Sequence, residues 1–129
     1  MFDRQAMVER LQDVLEALER VPLRFETIGS PEDFLADEIG REHLDSICMV
    51  LMAVGEAFRQ IDKKTNGEWL ARYSQIPWRD VIGVRNVIAH GYFDIDAEQV
   101  FDICQKDVPK LIATVREMIG DLQKQERVG

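Results

Sequence analysis

Arg85-Asn86-Val87-Ile88-Ala89-His90-Gly91-Tyr92 gathers a permanent cation, an amide, an imidazole and a phenol into eight consecutive residues. An imidazole titrating close to neutrality can take or give a proton, and a guanidinium fork can hold a phosphate or carboxylate. Asn86 and His90, four apart, share one face of a helix. Arg85 and His90, five apart, point to quite different sides at 3.6 residues per turn. The two can serve one small group only if the helix stops at His90, and Gly91 suits that stop because it accepts the left-handed C′ conformation. The helix dipole there favours imidazolium, and Tyr92 follows in the turn. These residues alone leave the bland reading open: R-x4-H recurs by chance, a terminal histidine can merely compensate the dipole, and Tyr92 could be a half-buried core aromatic.

The apolar spacing shows what must carry this stretch. Val8, Leu11, Leu15 and Leu18 recur at helical steps through 3–21. Pro22 marks a break or kink, and 22–29 reads as loop or as extra helix. Ser30-Pro31-Glu32-Asp33 has the form of an N-cap with Pro at N1 and acids in the first turn. It opens a second helix over 31–61, with the stripe Phe34, Leu35, Leu44, Ile47, Leu51, Val54, Phe58 and Ile61. Within it, Gly55-Glu56-Ala57 interrupts the apolar run; Glu56 is either a partly exposed surface acid or turned to the interior or an interface. His43 reads as a solvated histidine.

Lys63 to Gly67 is a polar loop and 68–73 a short extra turn or two of helix. A third helix opens at Pro77-Trp78 and ends near 90, with Trp78, Val81, Ile82 and Ile88 on its core side. Asp96-Ala97-Glu98-Gln99 is close to a capping box and starts a fourth helix, 97–124, which Pro109 should kink or split. No segment alternates like a strand. The pattern predicts one all-α domain over 1–129, an antiparallel up-and-down four-helix bundle with a short extra helix and a kinked last helix.

With 46% hydrophobic and 31% charged residues, the composition is that of a water-soluble globular chain. A net charge of −8 argues against a broad nucleic-acid-coating surface, yet leaves room for a small basic site. No apolar run reaches membrane-spanning length, and Met1-Phe2-Asp3-Arg4 leads directly into an amphipathic stretch without a signal peptide, which points to the cytoplasm. Cys48 and Cys104 lack metal or redox spacing and read as buried thiols, so no metal or cofactor is expected. Gly29-Ser30 and the Asp94/Asp96 pair are fragments of a nucleotidyltransferase pattern, but they lie over sixty residues apart in a helical chain and read as caps and turns.

Arg85-x4-His90-x-Tyr92, entered through Pro77-Trp78, preceded by Gly55-Glu56-Ala57 and followed by Val108-Pro109-x-Leu111, resembles the HepT group of HEPN-domain toxins along essentially the whole chain. The resemblance implies a homodimeric, metal-independent endoribonuclease paired with an MntA-like minimal nucleotidyltransferase antitoxin. RNA would be its substrate, with transfer RNA the natural candidate. It makes Arg85 and His90 the catalytic pair, Asn86 their support, Glu56 a bracing acid on the second helix, and Tyr92 the residue the antitoxin silences by AMPylation. A two-fold dimer with the third and fourth helices at the interface would bring two Arg85/His90 sets into one cleft. The competing expectation is a non-catalytic dimeric module that binds a nucleotide or simply partners a nucleotidyltransferase.

Overall fold

A computed structural model describes residues 3–90 and 92–128; the side chains of 85–87, 89, 90, 92 and 125–128 lie outside the description. Among the described residues every regular element is helical. α1 (Arg4–Phe25) begins where the Asp3 carboxylate accepts from the Ala6 N–H at 3.1 Å, satisfying a donor that the first turn leaves over. Its inward stripe of Met7, Leu11, Val14, Leu18 and Val21 is buried. The helix passes through Pro22 instead of ending at 21. A proline inside a helix forfeits a hydrogen bond, but here only the last turn follows. That turn is held by Phe25, whose ring lies 6.3 Å from Phe34 and 5.0 Å from Phe101.

The helix expected over 31–61 is two helices. α2 (Asp33–Ala36) is a single turn, the backbone extends at Asp37 (φ −153°, ψ 177°), and the chain restarts as α3 (Glu38–Lys64). Ser30 is not the cap: the Asp33 carboxylate reaches back to accept from the N–H groups of Gly29 (2.8 Å) and Ser30 (3.2 Å). The cap of the long helix is Asp37, which accepts from the Gly40 N–H at 2.7 Å. Gly40 permits the break, because a Cβ there would collide with the carbonyl oxygen of Asp33. The restart turns Leu35 outward, 52% exposed, while the other seven residues of the predicted stripe are buried. α3 ends at Lys64, three residues later than predicted, in the left-handed pair Asn66 (φ 55°) and Gly67 (φ 73°). The Gly67 N–H returns to the Asp62 carbonyl at 2.9 Å and closes the helix end.

A 3₁₀ turn at Leu70–Arg72 leads to α4 (Trp78–His90), and a second one at Tyr92–Asp94 follows it. Asp96 caps α5 (Ala97–Asp102), accepting from the N–H groups of Glu98 and Gln99 as the capping pattern predicts. Pro109 does split the last helix. A π-helical stretch, Ile103–Asp107, separates α5 from α6 (Val108–Val128). Proline has no N–H for the carbonyl four residues back and its ring would press on it; the wider turn comes immediately before that point, with the Val108 N–H bonded to the Ile103 carbonyl. α1 lies against α3 and α6, and α3 against α1 and α4. The long helices thus form the expected bundle around an apolar cluster that includes Leu11, Ile47, Phe58, Val115 and Met118. No described helix is long and apolar enough to cross a membrane.

Candidate functional site

The entry to α4 is anchored on three sides. Trp78 packs its ring 4.7 Å from that of Phe58 and donates its indole N–H to the Tyr73 carbonyl at 3.0 Å. The Pro77 carbonyl accepts from the N–H groups of Asp80 and Val81, at 2.9 and 3.1 Å, and so starts the helix. Upstream, the Tyr73 hydroxyl donates to Asp121 Oδ2 at 2.8 Å, and the Gln75 amide reaches Thr114 Oγ1 and Glu117 Oε2 at 3.4 and 3.3 Å. Burial, then the Asp121 contact, pushes the Tyr73 phenol well above its ordinary range. It therefore stays a neutral donor, tying the approach to α4 onto α6.

α4 is pressed onto α3 at one point of unusually close approach. A Cβ at Gly55 would stand 2.9 Å from the Val81 carbonyl oxygen and 3.4 Å from Val84 Cγ1. Glycine in mid-helix costs about 1 kcal/mol relative to alanine, and this contact supplies a reason for it. Sequence reading registered the Gly55-Glu56-Ala57 interruption but not its cause. Glu56 follows this contact directly in α3. Its side chain is 31% exposed and grips Arg59 with both oxygens, at 2.7 Å and 3.0 Å, while Gln60 donates at 3.3 Å. That grip raises the Arg59 pKa further, through the hydrogen bonds first and the charge second. Arg59 is a partner of Glu56 that the sequence offered no means of singling out.

The backbone of α4 continues unbroken through positions 85 and 86 to His90. The side chains of Arg85, Asn86, His90 and Tyr92 lie outside the described residues, as does Gly91. Of the five candidates, the structure therefore describes the Glu56 side chain and the helix positions of Arg85, Asn86 and His90. Just beyond, a cleft of about 120 Å³ opens between α4 and α5, with Val84, Ile88 and Ile95 as apolar wall and Asp94, Asp96 and Gln99 as polar rim. Phe93, next to Asp94 in the chain, is 96% exposed. Among the described residues no three His, Cys, Asp or Glu side chains converge to hold a metal.

The helical bundle thus carries the R-x4-H stretch on a helix that meets α3 through a glycine contact. The family model described as "Ribonuclease HepT-like" matches residues 4–118, and the chain belongs to this HepT-like ribonuclease family. Among curated relatives, "Putative RNase MJ1380" of Methanocaldococcus jannaschii is 30% identical over 101 residues, covering 78% of this chain and 85% of the relative. "Putative RNase TTE0752" of Caldanaerobacter subterraneus subsp. tengcongensis is 28% identical over 84% of this chain and 90% of its own length. "Probable ribonuclease HepT" of Thermococcus cleftensis is 28% identical over 78% and 84%, respectively. No solved structure matches the chain at the same stringency.

Proposed function

We propose that this chain is a single-domain cytoplasmic toxin over 1–129, a homodimeric endoribonuclease that cleaves RNA without a metal, with transfer RNA as the substrate class. The observation that carries the reading is the end of α4 at His90 inside a HepT-like family match covering residues 4–118. In the reaction the 2′-hydroxyl oxygen attacks the adjacent phosphorus while the bond to the 5′-oxygen breaks. A base takes the hydroxyl proton and an acid delivers one to the departing oxygen. The products are a 2′,3′-cyclic phosphate and a 5′-hydroxyl. His90 is the proton-transfer group and Arg85 holds the phosphoryl oxygens as charge builds on them. Asn86 supports the pair, and Glu56 braces α4 from the crossing.

A dimer supplies the second histidine that one chain lacks. Val81, Ile82 and Val84 are only half-buried against α3, which leaves apolar surface on α4 for a second copy. AMPylation of Tyr92 by an MntA-like minimal nucleotidyltransferase antitoxin would add an anion and a nucleoside beside the pair, blocking RNA by charge and bulk.

The test is cleavage of total RNA and transfer RNA, in EDTA, by protein purified without its partner and shown by intact mass to carry no adduct. His90→Ala should lower the rate roughly a hundred- to ten-thousand-fold. If unmodified protein cuts nothing, the chain is instead a dimeric nucleotide-binding or interaction module.

A further inference from the structure

Thr114, Glu117 and Asp121 follow one another along α6 at steps of three and four, which puts them on one face of the helix. The helix packs into the core through other side chains, Val115 and Met118 among them. The polar three instead meet the chain that leads into α4: Gln75 reaches Thr114 and Glu117, and the Tyr73 hydroxyl donates to Asp121. The link continues past Tyr73. Its carbonyl accepts from the indole N–H of Trp78, the first residue of α4, and the Trp78 ring rests on Phe58 of α3. Asp121, Tyr73 and Trp78 thus make one chain of hydrogen bonds from α6 to the start of α4. Tyr73 is buried and its raised pKa keeps the hydroxyl a donor.

What this chain of bonds fixes is the direction of α4. The helix approaches α3 closely where Gly55 meets Val81. At 1.5 Å per residue, Trp78 lies about 4.5 Å before that crossing and His90 about 13.5 Å after it. A sideways shift at Trp78 is therefore magnified about threefold at the far end of the helix. Ile88 is buried there, but a cleft runs along Val84 and Ile88 on the side of α5, so packing on that side does not stop the swing. We infer that Tyr73 and Asp121 are positioning residues: they set the angle at which α4 holds the Arg85–His90 stretch, and through them α6 takes part in aligning the site. The effect on cleavage rests on the ribonuclease reading; the seating of α4 does not.

Three substitutions test it. Tyr73→Phe removes one hydroxyl and keeps the ring, Asp121→Ala removes the acceptor, and Asp121→Asn keeps an oxygen that can accept. Backbone amide exchange over residues 82–90 reads the seat of α4 without reference to activity. It should quicken about ten-fold in Tyr73→Phe and Asp121→Ala, as for one lost hydrogen bond to a charged group, and by more than exchange in α1 does. In Asp121→Asn it should stay close to the parental rate. For RNA cleavage at a temperature where each variant is folded, kcat should fall about ten- to a hundred-fold with KM little changed, since a misplacement of about 1 Å can cost a hundred-fold. The double variant Tyr73→Phe/Asp121→Ala should be no worse than either single change, because both remove the same contact. Parental exchange in α4 overturns the inference, as does a kcat that falls only with the folded fraction, or an Asp121→Asn protein that behaves like Asp121→Ala. Faster exchange confined to α4, in a protein whose parent cuts no RNA, would keep the seat and remove the nuclease.

Discussion

α1 and α4 are both apolar-striped helices laid against α3, and they are treated very differently. α1 is closed over from two sides, by α3 and α6, and Met7, Val8, Leu11, Val14, Leu18 and Val21 are all buried. α4 has α3 as its main neighbour; Val81, Ile82 and Val84 remain half-buried, and Ile88 is its one fully buried side chain among those described. The helix that carries the candidate chemistry is thus the one the bundle leaves accessible. Rigidity reaches it through local devices: the Gly55 contact, the Trp78–Phe58 rings and the Tyr73 hydrogen bonds.

The comparison can be broken first at its well-packed end. Leu11→Ala should cost about 2–5 kcal/mol, the usual range for a fully buried leucine, read as a lowered urea midpoint. Val84→Ala should cost less than about 1.5 kcal/mol, because much of its surface already meets solvent. Equal losses would mean that α4 is as deeply packed as α1.

A smaller effect on stability, and a larger one on activity, is expected at the crossing. Gly55→Ala places a methyl 2.9 Å from the Val81 carbonyl oxygen. The helices must part slightly, at a cost of about 1–3 kcal/mol. RNA cleavage at a temperature where the variant remains folded should fall by more than the folded fraction explains. If activity instead follows stability alone, α4 does not need its close seat on α3.

The mildest test reads the closed side of the molecule. Burial, assisted by Asp45, pushes the Cys48 thiol from 9.0 up to about 11, and burial with Cys48 nearby pushes Cys104 up to about 12. The folded state holds these protons more tightly than the unfolded chain does. Their contribution is therefore complete below pH 9 and is lost as pH rises towards 11 and 12. Melting temperatures should be insensitive to the thiols at pH 7 and decline above pH 9, with Cys48→Ala removing part of that decline. An equal decline in the variant would mean that water already reaches this side of α3.

How far the sequence could be read follows the same division between local and distant causes. Asp96 was recognisable as a cap because its hydrogen bonds go to residues two and three ahead. Ser30-Pro31 misled because the deciding contact is between backbones: Gly40 lets α2 fold onto the first turn of α3, and Asp37 takes over as cap. Pro109 announced a disruption, but its form as a π-helical stretch was not legible. In the site, Glu56 was visible as an acid in an apolar run, while its Arg59 partner and the function of Gly55 depend on how closely α3 and α4 approach. The exposed ring of Phe93 had one faint signal, an aromatic set among aspartates.

The π-helical stretch at Ile103–Asp107 also bears on how such a chain can diverge. One residue added to or removed from a regular helix turns everything beyond it by about 100° and would strip the apolar stripe from its partners. A π turn already departs from that ladder, so a change in length there can be taken up locally. α5, which lines the cleft, and α6, which packs on α1, are therefore joined at the stretch where a change in length disturbs the α1–α6 pairing least.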